Sequence, residues 1–250
     1  MKKISITKII NRLQTMAAVR LHEKNEDGLR YMLFCPRKPS TQLIVSFPAC
    51  AKKGSRYNYL RTIKDYDCYK LFLLDEGASN HRGTYLLGDV HEKVRRLISG
   101  IVEKYGIKES FFIGSSKGGY CAVDFSFFIP NAIPIIAAPQ YFVGFYLNSQ
   151  SFLPNLWAVL GGVKITDAGI AKVDNRLREV IETSDIKPSK VYINYSDKEH
   201  TYGEHIKFML EDLHKAGIEV VEQVEHYPNH GDLIKTYPTF LRTVLKELVV

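Results

Sequence analysis

The chain has 250 residues, 45% hydrophobic and 24% charged, which suits one sizeable folded core and excludes a disordered or fibrous chain. Its 34 Lys and Arg against 27 Asp and Glu leave a net charge of +7, which favours anionic partners. The basic residues are scattered (Lys2, Lys3, Lys52, Lys53, Arg95, Arg96) and form no nucleic-acid motif, so nucleic acid is not an expected partner.

After Met1-Lys2-Lys3 the apolar residues are interrupted by Lys8, Arg12 and Gln14, too often for a signal peptide. No later apolar run is long enough to span a bilayer, so the expectation is a cytoplasmic protein with at most peripheral association. Short apolar runs then alternate with helical patterns. Strands are expected at Arg30–Phe34, Leu43–Phe47 and Tyr69–Leu74. A helix follows, with Val90, Val94, Leu97, Ile98, Ile101 and Tyr105 on one face and Gly106 as its stop. The strand Ser110–Ile113, the helix Gly118–Phe128 and the strand Ile133–Ala137 come next. The remaining pattern is helix Ile165–Glu182, strand Val191–Tyr195, helix Glu204–Ala216, strand Glu219–Val224 and helix Leu233–Leu248. Continuously apolar strands alternating with helices predict an α/β fold, with a mainly parallel sheet, helices on both faces and a single domain over 1–250. One stretch breaks the rhythm. Residues 140–162 carry Tyr141, Phe142, Phe145, Tyr146, Phe152 and Trp157, which reads either as core-packed helices or as a small cap over a site. Cys35, Cys50, Cys68 and Cys121 have neither metal-ligand nor disulfide-framework spacing, so they are expected as small buried hydrophobes, with no metal.

The segment Gly114-Ser115-Ser116-Lys117-Gly118 lies between the apolar strand ending at Ile113 and the helix after it. Gly-x-Ser-x-Gly in that context is the nucleophile elbow of the α/β-hydrolase fold, which makes Ser116 the candidate nucleophile. The turn is so tight that side chains beside the serine would clash, and it sets the hydroxyl next to a helix N-terminus. A serine needs a base, and this fold orders its triad serine, acid, histidine. His230, in Pro228-Asn229-His230-Gly231-Asp232 after the last strand, fits best; His226 continues the strand pattern, and His200, His205 and His214 come too early or on a helix. The acid belongs after the strand Val191–Tyr195. Glu199 fits an acid three residues past the small Ser196, and Asp197 is the rival. The oxyanion hole needs two backbone donors: Lys117, after the nucleophile, and Ala49, because Pro48 has no N–H.

The doubled serine and glycine of Gly114–Gly119 resemble the elbow of bacterial capsule-biosynthesis proteins. That family includes capsular polysaccharide O-acetyltransferases and is related to acetyltransferase-like components of accessory secretion systems. Tyr57-Asn58-Tyr59, Arg82-Gly83-Thr84-Tyr85, Ala138-Pro139-Gln140 and His230-Gly231-Asp232 extend the resemblance in order from about residue 43 to 235. It implies that Ser116 and His230 are nucleophile and base, that the acid falls at Glu199, where the family favours Asp, and that Arg82 and Tyr85 line the rim of the site. A salt-bridged Arg82 is the competing expectation. The implied activity is acyl transfer, most simply of acetyl, between a donor such as acetyl-CoA and a hydroxyl of a surface glycan, with no permanently bound cofactor. Peripheral association with capsule-assembly proteins is implied too. An esterase or glycan deacetylase with the same triad, and a non-catalytic assembly partner, are the alternative readings.

Overall fold

A computed structural model describes residues 6–51 and 55–249, with side chains from Leu13 onward; Lys2, Lys3, Lys52 and Lys53 lie outside them. Eight strands form one sheet: β1 (Glu23–Glu26), β2 (Leu29–Phe34), β3 (Gln42–Ser46), β4 (Tyr69–Leu73), β5 (Glu109–Ser115), β6 (Ala132–Ala137), β7 (Lys190–Ser196) and β8 (Glu219–Glu225). Their spatial order is β1-β2-β4-β3-β5-β6-β7-β8. The β1–β2 and β2–β4 pairings are antiparallel, and all others are parallel. Parallel neighbours require crossovers, and helices supply them.

The helices are α1 (Ile6–His22), α2 (Asp89–Tyr105), α3 (Lys117–Ser126), α4 (Val143–Leu147), α5 (Leu153–Val159), α6 (Asp167–Thr183), α7 (Lys207–Lys215) and α8 (Leu233–Leu248). Gly106 ends α2 as expected: its φ of 61° is left-handed, and its N–H returns to the last turn. The central strands are apolar on both sides. Leu43, Val45 and Phe112 face one core layer with α2, α3, α6 and α7, while Ile44, Phe111, Ile113 and Ile135 pack with Tyr237 and Leu241 of α8.

Every expected strand and helix is present, with ends shifted by a few residues, and the expected helix 204–216 opens with a wide π-type turn, Tyr202–Ile206. Two elements were not expected. Helix α1 begins in the polar N-terminal stretch, and β1 (Glu-Lys-Asn-Glu) is almost wholly exposed, so it offers no alternation to read. Residues 140–162 hold α4 and α5. Part of the segment is core, with Tyr141, Val143, Leu147 and Leu156 buried, while Phe145 and Trp157 are exposed. The cysteines divide as well: Cys68 and Cys121 are buried as expected, but Cys35 is exposed and Cys50 lies partly open beside the cleft described below. Among the described residues, no helix is long and apolar enough to cross a membrane, and no cluster of side chains is arranged to hold a metal ion.

Candidate active site

At the carboxyl end of β5 the chain reverses into α3 through Ser116, whose φ of 54° and ψ of −123° are strained for a residue with a side chain. The reversal is held by the Ser116 N–H, which donates to Ala137 O at 2.8 Å, and by Ser116 O, which accepts from Gly119 and Tyr120 N–H. The flanking glycines are there for space. A Cβ on Gly114 would sit 2.2 Å from Gly118 O, and one on Gly118 would sit 2.6 Å from Phe47 O. From below, the Gly114 N–H donates to Tyr237 Oη of α8 at 3.0 Å.

The loops after β7 and β8 bring together the candidate acid and base. Nδ1 of His230 lies 2.6 Å from Oε1 of Glu199, and the Thr201 hydroxyl donates to the same oxygen at 2.5 Å. The Glu199 side chain is fully buried. Burial by itself would raise its pKa, yet the hydrogen bonds from His230 and Thr201 outweigh that and hold it below the ordinary glutamate value. An ionised carboxylate only accepts, so Nδ1 carries a proton; in the neutral ring the lone pair is then on Nε2. That Nε2 is buried and has no partner among the described residues. Asp197 is turned elsewhere: its Oδ1 is 2.7 Å from Nδ1 of the exposed His226. The two rival residues for acid and base thus pair with each other on the surface.

Ser116 and His230 line one cleft of about 510 Å³, together with Ala49, Asn58, Arg82 and, from the 140–162 segment, Tyr146 and Phe152. The Ser116 hydroxyl accepts from Gln140 Nε2 at 2.7 Å, and the Tyr85 hydroxyl donates to Gln140 Oε1 at 3.3 Å, which fixes the orientation of the amide. Tyr85 is therefore not on the rim, as the family resemblance implied; it is buried behind Gln140. Nor is Arg82 salt-bridged among the described residues; its guanidinium carbon lies 4.1 Å from the centre of the Phe152 ring.

Lys117 follows the nucleophile as expected, with its N–H in the first turn of α3. Its side chain is buried, with Nζ 2.7 Å from Asp75 Oδ2 and 3.1 Å from Arg82 O. Asp75 also accepts from the N–H groups of Thr84 and Leu86, so the ion pair ties the elbow to the loop before α2. The Ala49 N–H donates to Asn58 Oδ1 at 3.0 Å, which leaves that donor engaged in this arrangement. Asn58 and Gln140 were visible in the sequence only as members of short motifs. The structure gives each a contact at the site: Asn58 on the early loop, Gln140 on the nucleophile.

No protein-family model matches the sequence, and no curated protein does either. Solved structures do. The capsule O-acetyltransferase of Neisseria meningitidis serogroup A is 21% identical, with a TM-score of 0.75 over 90% of this chain and 94% of that one. A histidine-to-alanine mutant of that protein in complex with CoA matches equally well, over 89% and 94% of the two chains. The S-formylglutathione hydrolase of Agrobacterium tumefaciens is 12% identical, with a TM-score of 0.62 over 90% and 92%. A glycosylation-associated protein complex from Streptococcus agalactiae matches at 14% identity and a TM-score of 0.67, over 91% of this chain and 46% of that one. The parallel sheet, the strained serine between β5 and α3 and these likenesses together establish the α/β-hydrolase fold.

Proposed function

We propose that the protein is a serine-dependent acyltransferase, of acetyl in the first instance, acting on a glycan hydroxyl during the assembly of a bacterial surface polysaccharide. The observation that carries this reading is the buried His230–Glu199 pair, whose histidine lines the same cleft as Ser116. The likeness to a capsule O-acetyltransferase, one form of which binds CoA, supports acetyl-CoA as donor. A cytoplasmic setting with peripheral contacts to assembly proteins fits such a donor, and so does a single catalytic domain over 1–250.

In the first half-reaction the Ser116 hydroxyl swings from Gln140 toward His230, and Nε2 takes its proton as Oγ attacks the thioester carbonyl. Negative charge collects on the carbonyl oxygen. The Lys117 N–H, at the positive end of α3, faces that charge; Ala49 serves as second donor once its N–H is released from Asn58. The C–S bond breaks, the leaving thiol takes the proton from His230, and an acyl-serine remains. A sugar hydroxyl then attacks the acyl carbon while Nε2 takes its proton. The Ser116 O–C bond breaks, and the serine recovers the proton. Glu199 orients the ring and stabilises the imidazolium through both halves.

Excluding water from the acyl-enzyme separates transfer from hydrolysis. Tyr146 and Phe152 line the cleft with aromatic surface, which favours the transferase. The test is partition: the enzyme is acetylated from p-nitrophenyl acetate, with and without glycan oligosaccharides as acceptors. Nitrophenol release that accelerates with acceptor, together with acetylated sugar, supports transfer; fast hydrolysis indifferent to every acceptor contradicts it and makes the protein an esterase.

A further inference from the structure

Arg82 stands in the cleft with its backbone tied on both sides and its charge unanswered. Its N–H donates to Asn80 Oδ1 at 3.0 Å, its carbonyl accepts from Lys117 Nζ, and Gly83 O accepts from Asn155 Nδ2 of α5 at 2.7 Å. The loop is thereby bolted to both the elbow and the 140–162 segment. The guanidinium carbon sits 4.1 Å from the centre of the Phe152 ring, and the Nε–H is buried without a partner among the described residues.

Arg30, Arg37, Arg95, Arg96, Arg176 and Arg178 each meet a carboxylate, whereas Arg82, which lines the cleft, meets none among the described residues. The described residues lining the cleft include no Asp or Glu, and Arg82 is the one among them with a permanent charge. A guanidinium offers Nε–H and a terminal N–H along one edge, which matches two oxygens of a carboxylate or phosphate. Contact with the Phe152 ring restrains the guanidinium before anything binds, and a buried, unpaired Nε–H is the kind of donor that a ligand oxygen completes.

We propose that Arg82 anchors an oxyanion subsite of the cleft, gripping a phosphate or carboxylate group of the substrate that reacts at Ser116. This rests on the acyl-transfer reading of the cleft. The oxyanion can come from two sources: the phosphates of a CoA-type donor, or an acidic group on the glycan acceptor.

The test reads binding with the nucleophile removed. Full-length Ser116→Ala protein, alone and with Arg82→Gln or Arg82→Lys added, is titrated calorimetrically with two matched pairs of probes: CoA against pantetheine, and trigalacturonate against its methyl ester. In the protein that retains Arg82, the charged member of at least one pair should bind about tenfold tighter or more than its neutral counterpart. Arg82→Gln should erase that ratio, and Arg82→Lys, which keeps the charge but loses the fork, should lower it several-fold. Because the ratio is read within one variant, a general weakening cancels. Discrimination in the CoA pair assigns the subsite to the donor; discrimination in the galacturonate pair assigns it to the acceptor. No preference for either charged probe, or a preference that survives Arg82→Gln, overturns the proposal. Should Arg82→Gln fail to fold, an undiminished ratio in Arg82→Lys overturns it instead. The serine chemistry is not exercised in these titrations, so its failure would appear separately, as absence of an acyl adduct on the wild-type protein.

Discussion

Glu199 and His230 meet at 2.6 Å through Oε1 and Nδ1, while Asp197, two residues earlier on the same loop, pairs with the exposed His226 and with Lys198. This difference separates the two carboxylates chemically. Glu199→Gln should keep the shape of the pair but present an amide where the ring needs an anion, lowering kcat on p-nitrophenyl acetate by about a thousandfold or more. Asp197→Asn should stay within about twofold, because an exposed ion pair contributes little. Steady-state kinetics of the two variants checks both, and equal losses would contradict the assignment of Glu199.

The buried Lys117–Asp75 pair makes a prediction about stability. Lys117→Met leaves Asp75 as an uncompensated buried charge and should cost about 3–5 kcal/mol in urea unfolding. Lys117→Met combined with Asp75→Asn should recover a large part of that loss, since the stranded charge is gone. A double variant as unstable as the sum of the single ones would show that the pair does not act as a unit.

Gly118 is tested by a single methyl group. Gly118→Ala puts a carbon 2.6 Å from the Phe47 carbonyl oxygen, a backbone atom that cannot turn aside. Either β3 or α3 must shift, moving the elbow, so kcat should fall by about a hundredfold from a small misplacement of Ser116. Gly203→Ala, which meets nothing within 4 Å, is the control and should be silent.

His205 links pH to the segment over the cleft. It is buried beneath Phe142, Phe145 and Tyr146, and its Nδ1 accepts from the Phe142 N–H. Burial pushes its pKa down to about 4 from the ordinary 6.5. The folded protein then resists a proton that the unfolded chain takes up from pH 6.5 downward, so this contribution is intact above 6.5 and is lost as pH falls to 4. The loss amounts to about 3 kcal/mol at the acid end. His205→Gln, which keeps an acceptor for Phe142 and does not titrate, should flatten that slope in thermal melts taken between pH 4 and 7.

The tight turn at Ser116 was legible in the sequence because it demands small residues on both sides of the serine, between an apolar strand and a helix. His230 was legible from chain order. The preference for Glu199 over Asp197 rested on its spacing from Ser196 alone, since both lie on one loop and the path of the chain decides which one meets His230. Tyr85 was misplaced on the rim because a tyrosine beside an arginine in sequence gives no sign that it turns inward to Gln140. Helix α1 and strand β1 escaped notice for a simpler reason: β1 buries almost no side chain, so nothing in its pattern marks it as a strand.

The most direct test of Ser116 as the acylated residue is intact mass after brief exposure to acetyl-CoA, for wild type and Ser116→Ala, with a fluorophosphonate probe run in parallel. An acetyl adduct on wild type that Ser116→Ala lacks is the expected result, with phosphonylation following the same pattern. Neither adduct on folded wild-type protein, or an adduct that persists in Ser116→Ala, would contradict an activated serine at the elbow.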